Sequence, residues 1–376
     1  MASIYIHIPF CQKKCNYCDF YSIADITFMD AYIDALYREI NLFCKQHNPQ
    51  KIDTIYIGGG TPSLLSHTHL AYLKKSIDTN FILNDNIEWT IECNPKTVNK
   101  SDFEYFLSIG INRLSIGIQS INDDELKFLG RIHDAQSAEQ TIIDAQEAGF
   151  KNISCDLMFT IPNQTLKSWQ KTLDGILKYD LQHISAYSLI YEEGTPITCK
   201  LNAGKIKRKT AAFDYKLYEI GFTKLVDAGY QHYEISNYAK PSFESKHNMN
   251  YWIFGDYYGF GASAHSYFKK NRSANVSSVQ KYIDLVNYGK LPIEISEVIN
   301  PEQSLMEQIY LSLRAKGLLI GNLPKKSKYV DSKVNEYINI LIEKDYAKFE
   351  NNLLKLTSKG FFLTDEISIK LDSLFD

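Results

Sequence analysis

The 376-residue chain has no apolar run of the roughly 18 residues that a membrane-spanning helix needs. Its first residues, Met1 to His7, are too short and too soon interrupted to read as a secretory leader. It has no basic excess, since 41 Lys and Arg stand against 44 Asp and Glu for a net charge of -3. Nothing in the charge therefore points to nucleic acid, and no like-charge run offers an interaction tail. Repeats and low-complexity tracts are also missing. A hydrophobic fraction of 44% with 23% charged residues excludes a mainly disordered chain. The expectation is a cytoplasmic globular protein without a nucleic-acid partner. At a prior of about 150 residues per domain it holds two or three domains, although α/β barrels run longer as one unit.

Short β-like runs alternate with helical patterns through the first half. The runs are Ile4 to Ile8, Thr54 to Ile57, Glu88 to Cys93, Arg113 to Ile118, Ile153 to Phe159 and His183 to Ile190. Helical patterns cover Met29 to Cys44, His67 to Ile77, Ser101 to Leu107, Ala135 to Ala148 and Leu166 to Leu177. This alternation implies βαβ units and a parallel sheet, as a doubly wound sheet or a partial barrel. Gly and Pro follow the strands at Gly58 to Pro62, Asn94-Pro95 and Ile161-Pro162, where parallel α/β folds bind ligands. A helix is expected over Lys205 to Ala228, then an aromatic and polar stretch from Tyr230 to Phe268. Helices near Glu302 to Ala315 and Val330 to Lys344, a β-like Ala347 to Leu356 and a helix near Asp365 to Leu374 suggest a winged-helix-like end domain.

Seven cysteines are present, and Cys11, Cys15 and Cys18 fall within eight residues. Cys44, Cys93, Cys155 and Cys199 are single and read as small buried hydrophobes. An odd count in a reducing compartment argues against a disulfide framework. Zinc normally takes four ligands, and no fourth Cys or His follows at finger spacing, so a zinc site would need a distant partner such as His7. Three thiolates in a loop after the first strand suit a [4Fe-4S] cluster with one iron left open for a small chelating molecule.

The C-x3-C-x2-C spacing resembles the signature of radical S-adenosylmethionine proteins. The run from Tyr5 through Tyr21 resembles the branch holding oxygen-independent coproporphyrinogen III oxidases and related heme chaperones. The likeness extends to Leu353–Gly360. It implies a partial (β/α)6 barrel over residues 1–240, a connecting region at 241–290 and a smaller C-terminal α+β domain at 291–376. It also implies a [4Fe-4S] cluster on Cys11, Cys15 and Cys18, with S-adenosylmethionine on the open iron. By the same likeness, Gly59, Gly60, Thr61, Glu92, Gln119, Arg131 and Asp156 would contact S-adenosylmethionine. Tyr5 and Tyr17 would neighbour the adenine or the substrate. The chemistry suits this, since glycines permit close approach, carboxylates accept from hydroxyl or amino groups, and Arg pairs with a carboxylate.

Two functions follow from the branch: oxidative decarboxylation of a porphyrinogen, or heme binding and delivery. The oxidases carry an extension before the first strand and a further cysteine two places after the third. Here the first strand begins near Ser3, and that place is Phe20. His247-Asn248-Met249-Asn250-Tyr251-Trp252 matches the H-N-x-x-Y-W pattern of the chaperones, and imidazole is a good axial ligand for heme iron. The expected function is thus heme delivery without oxidase activity, with His247 binding heme. Gly259 to His265 reads as a close-packed turn, with His265 the second ligand candidate. The resemblance implies respiratory hemoproteins as recipients, membrane contact through a partner, and a homodimer.

Overall fold

The computed structural model describes residues 2–323 and 328–375. Six strands form the expected arc in chain order, each parallel to the next. They are β1 (Ala2–Ile8), β2 (Ile52–Gly59), β3 (Leu83–Cys93), β4 (Arg113–Gln119), β5 (Ile153–Phe159) and β6 (His183–Ser188). Helices cover the outside: α1 (Met29–Gln46), α2 (His67–Asn80), α3 (Lys100–Ser108), α4 (Asp123–Leu129), α5 (Ala135–Ala148), α6 (Leu166–Leu177), α7 (Pro196–Asn202) and α8 (Ala211–Asp227). Ser66, Asn99, Asp134 and Thr165 cap α2, α3, α5 and α6 through side-chain oxygens on exposed backbone N–H groups.

The strands have two faces with period 2. Ile4, Ile6, Ile55, Ile57, Ile91, Leu114, Ile116, Cys155 and Ile184 are buried in the main core beneath the helices. The alternate set, including Tyr56, Arg113, Ser115, Asp156, Ser185 and Tyr187, lines a cavity inside the arc. The barrel interior is therefore polar, unlike the packed apolar interior of a closed eight-stranded barrel.

The arc does not close on itself. β7 (Gln231–His232) and β8 (Asn237–Ala239) extend it antiparallel beyond β6, after which comes α9 (Lys246–Trp252). β9 (Asp256–Phe260) lies parallel to β1 on the other side. It is followed by β10 (His265–Phe268), β11 (Asn271–Asn275), α10 (Val279–Asn287) and β12 (Ile293–Val298), whose strands run antiparallel outward to the sheet edge. The stretch from Tyr230 to Phe268 thus supplies four strands and a helix where only composition was legible. The helix expected over Lys205 to Ala228 starts later, at the Thr210 cap.

A second core gathers Ile309, Leu313, Leu318, Val334, Ile338, Leu354 and Phe361. Its elements run α11 (Pro301–Leu313), β13 (Leu318–Leu319), α12 (Lys328–Glu343), β14 (Ala347–Glu350), β15 (Leu353–Leu356), α13 (Ser358–Phe362) and α14 (Thr364–Asp372). Helix, strand, helix and hairpin follow in winged-helix-like order. Asn351 and Asn352 turn the hairpin with φ of 51° and 63°, as a type I′ turn requires. β12 pairs into the large sheet, and the second cluster is built from Leu305 onward with Ile235 packed against it.

Candidate functional site

The three clustered cysteines lie in a loop at the C-terminal end of β1, fastened by backbone hydrogen bonds. Cys11 N–H donates to Ile23 O at 2.9 Å, Asn16 N–H to Leu129 O at 2.9 Å and Ile197 N–H to Asn16 O at 2.9 Å. All three thiols face one cavity of about 140 Å³. Thr61 Oγ1 donates to Cys11 Sγ at 3.5 Å, and Arg131 Nη1 to Cys15 Sγ at 3.6 Å. Burial pushes the Cys18 thiol up to about 11, and the nearby Cys15 and Cys11 add repulsion. Three thiols converging on one hollow, with an O–H and an N–H group aimed at two of their sulfurs, fit a thiolate-held cluster whose charge such hydrogen bonds moderate.

Single-ion geometry is not formed there. Among the described residues no three His, Cys, Asp or Glu side chains gather as a site for one metal ion. A cubane, with irons at separate corners, asks its thiolates to stand further apart than one ion does. His7 is not free to complete a zinc site. Its Nδ1 is bonded to Tyr5 OH and its Nε2 to Tyr21 O, each at 2.9 Å.

The same cavity is walled by Tyr17, Gly59, Gly60, Thr61, Glu92, Gln119, Arg131 and Asp156. Tyr5 is the exception among the expected contacts: its hydroxyl is turned to His7, and it is not part of the wall. Glu92 accepts from Tyr56 OH at 2.8 Å and from Gly59 N–H at 3.1 Å, while burial lifts its carboxyl to about 7. Burial also raises Asp156, against the hydrogen bonds of Ser185 and Ser115. Arg131 donates to Gly117 O at 2.6 Å and to Asn94 Oδ1. It therefore sits beside Cys15 with carbonyl acceptors, not paired to a protein carboxylate. Gln119 holds φ of 67° and accepts from Tyr187 OH at 2.8 Å. A left-handed non-glycine residue at a strand end is the kind of strain that collects at ligand sites.

The glycine loop owes its composition to packing as well as to the cavity. A Cβ on Gly59, whose φ is 112°, would stand 2.6 Å from the His7 ring, and one on Gly60 would stand 2.6 Å from Phe10 O. Glycine lets this turn slide beneath the cysteine loop.

The hexapeptide from His247 occupies the opposite end of the barrel. It forms α9, across the N-terminal ends of the strands, where Glu88 accepts from the backbone N–H groups of Lys246 and His247 at 3.1 and 3.0 Å. His247 is 1% exposed. Its Nδ1 is bonded to Thr54 Oγ1 at 2.7 Å and its Nε2 to Tyr251 OH at 2.9 Å, and its ring stacks on Tyr56 at 5.0 Å. Burial lowers its pKa to about 3. With both nitrogens engaged, this imidazole has no free lone pair for iron. In this structure His247 is a buried histidine held at both ring nitrogens. The Gly259–His265 turn is close-packed as expected, since a Cβ on Gly261 would stand 2.4 Å from Tyr32 Oη. His265 is exposed, and Cys199 is exposed as well, against the expectation of burial.

Sequence reasoning passed over Asn94, Ser115, Tyr187 and Arg113. Asn94 and Tyr187 reach the thiol cavity, with Ser115 shared between it and a second cavity of about 540 Å³ deeper in the arc, whose wall includes Arg113. The alternation Arg113, Ser115, Gly117, Gln119 along β4 was the available signal, hidden because the intervening residues read as one apolar run.

The Radical SAM superfamily model matches residues 5–176. The chain is 36% identical over 375 residues to the heme chaperone HemW of Bacillus subtilis, covering 98% of each. It is 43% identical over 269 residues to the heme chaperone HemW of Haemophilus influenzae, covering 70% of this chain and 69% of the relative. Among solved structures, coproporphyrinogen III oxidase HemN from Escherichia coli, a Radical SAM enzyme, superposes with a TM-score of 0.83. At 22% identity, over 99% of this chain and 90% of that one, the likeness is one of fold.

Proposed function

The chain belongs to the heme chaperone HemW family within the Radical SAM superfamily, and from that premise we propose that it binds heme and hands it to hemoproteins. Full-length similarity to named heme chaperones is the observation that carries this reading. The oxidase alternative rests on a likeness of fold alone.

In this proposal Cys11, Cys15 and Cys18 hold a [4Fe-4S] cluster, and the wall of Gly59, Gly60, Thr61, Glu92, Gln119, Arg131 and Asp156 holds S-adenosylmethionine. When bound, such a cluster supplies an open iron that the amino and carboxylate groups of the methionine moiety chelate. The chain's own residues set the surroundings. Arg131 and Thr61 place donors on two of the sulfurs. Glu92, fixed by Tyr56 and Gly59, offers its remaining lone pairs to hydroxyl or amino groups. Tyr17 lines the cavity, buried beside Arg131. The recipients are respiratory hemoproteins reached from the cytoplasm, with membrane contact made through a partner and a homodimer as the working unit. Among the described residues no helix is long and apolar enough to cross a membrane.

The test is anaerobic reconstitution followed by hemin titration and transfer to an apo-hemoprotein, with and without reductant and S-adenosylmethionine. Stoichiometric heme uptake and transfer are expected. Sustained carbon dioxide release from coproporphyrinogen III would overturn the reading in favour of the oxidase. Cys15→Ala is expected to abolish most cluster iron, whereas Cys44→Ala and Cys199→Ala leave it intact. Equal iron and sulfide in Cys15→Ala removes the cluster assignment.

A further inference from the structure

Arg113 opens β4 at the level where the barrel floor is built, and its side chain is 2% exposed. Its Nε is a buried donor with no hydrogen-bond partner. Among the described residues, no carboxylate lies within ion-pair distance of its guanidinium. Asp156, which lines the same cavity, accepts from Ser115 Oγ at 3.2 and 3.3 Å and feels the Arg113 charge only from beyond ion-pair distance. A buried charge without a partner is strongly unfavourable, and buried arginines are ordinarily paired. This one lines a cavity of about 540 Å³, within the roughly 300–1,000 Å³ of small-molecule sites.

The cavity is graded from polar to apolar. Arg113, Ser115 and Ser185 lie within, whereas Phe20 and Ile190, 70% and 65% exposed, give the outer wall its apolar surface, with the exposed Asp19 and Glu192 at its rim. It shares Tyr17, Cys18 and Asp156 with the thiol cavity, so the two adjoin. A flat apolar macrocycle bearing carboxylates on one edge matches this gradient, and guanidinium matches carboxylate in a two-pronged fork.

We propose that the inner chamber is the tetrapyrrole site and that Arg113 is its carboxylate receptor, pairing with a heme propionate while the macrocycle packs outward toward Phe20 and Ile190. This rests on the heme-carrier reading and adds the site and the recognition chemistry. It also accounts for the hexapeptide without iron ligation. α9 closes the barrel floor, and its Asn248 lines the same chamber while His247 supports Tyr56, another wall residue.

The experiment compares hemin with hemin dimethyl ester on the full reconstituted chain, by Soret titration with and without saturating S-adenosylmethionine. The unaltered protein should bind the ester about tenfold or more weakly, because a buried charge loses its partner. Arg113→Gln should bring hemin to the ester's affinity and leave the ester unchanged. A thermal melt and cluster iron confirm that the variant folds. If it does not fold, the ester comparison on the unaltered chain decides. Equal affinity for hemin and ester overturns the receptor assignment, as does a folded Arg113→Gln protein that still prefers hemin. Loss of the preference when S-adenosylmethionine is added assigns Arg113 to that ligand and also overturns it. Binding of neither hemin nor ester overturns the heme-carrier reading itself, and the receptor with it.

Discussion

The two ends of the barrel use the same kinds of side chain to opposite ends. At the floor, the polar groups around His247 are saturated by one another. Thr54 Oγ1 donates to Ser3 Oγ and meets His247 Nδ1, Tyr251 takes the other ring nitrogen, and Glu88 caps α9. At the mouth, polar groups converge on a hollow with valence to spare. Three thiols face one space, Arg131 keeps an unpartnered Nε, and Gln119 sits in a left-handed conformation. Saturation makes the floor a stability element, whereas unsatisfied, strained groups mark where a ligand belongs. The lesson is that a histidine in a suggestive motif is weighed by what its nitrogens already touch. Arg113 crosses this division, lying at the level of the floor with the free valence of the mouth.

Substitutions can break or sharpen the contrast. The largest stability effect is expected from Gly59→Ala at the mouth, where φ is 112° and the new Cβ meets the His7 ring at 2.6 Å. Backbone strain and overpacking together should destabilise by about 2–5 kcal/mol, read by chemical denaturation, and should loosen the cysteine loop so that cluster iron falls as well. An unperturbed protein would mean the turn has more room than its packing indicates. His247→Ala at the floor should come next. Leaving Thr54 and Tyr251 without their shared partner should destabilise by about 1–3 kcal/mol, with cluster iron and the heme ligand bands unchanged. A changed Soret band in the folded variant would return His247 to the iron.

The smallest effect is a pH dependence. The Glu92 carboxyl is raised from 4.5 to about 7 by burial. Its contribution to folding is complete below the unfolded value and is lost as pH rises through the folded one. Glu92→Gln does not titrate, so between about pH 4.5 and 7 the variant should gain stability relative to the unaltered chain. Parallel stability curves for the two proteins over that window would contradict the burial of this group. Several histidines with lowered pKa, including His133, His232 and His247, drive stability the other way. The difference between the two proteins, not either curve alone, is the quantity to measure.

Much of the arc was legible from the chain. Runs such as Arg113 to Ile118 and Ile153 to Phe159 register as strands because both faces are covered, and capped helices between them require parallel crossovers. The flanking strands β7 to β12 were not legible. Pieces as short as Gln231–His232 owe their conformation to the neighbour they pair with rather than to any period of their own. The thiol cavity was legible because Cys11, Cys15 and Cys18 are close in sequence and Glu92 and Gln119 end strands. Arg113 and Tyr187 were hidden, because the apolar residues that alternate with them made each strand read as one continuous buried run.

The sequence alone determined a parallel α/β sheet and the gathering of three thiols in one loop, because both depend on local spacing and period. Only the tertiary structure decided which end of the barrel each motif occupies. The burial and hydrogen-bond partners of His247 and Arg113 come from strands and helices far away in the chain, and it is those partners that decide whether a side chain is satisfied or available.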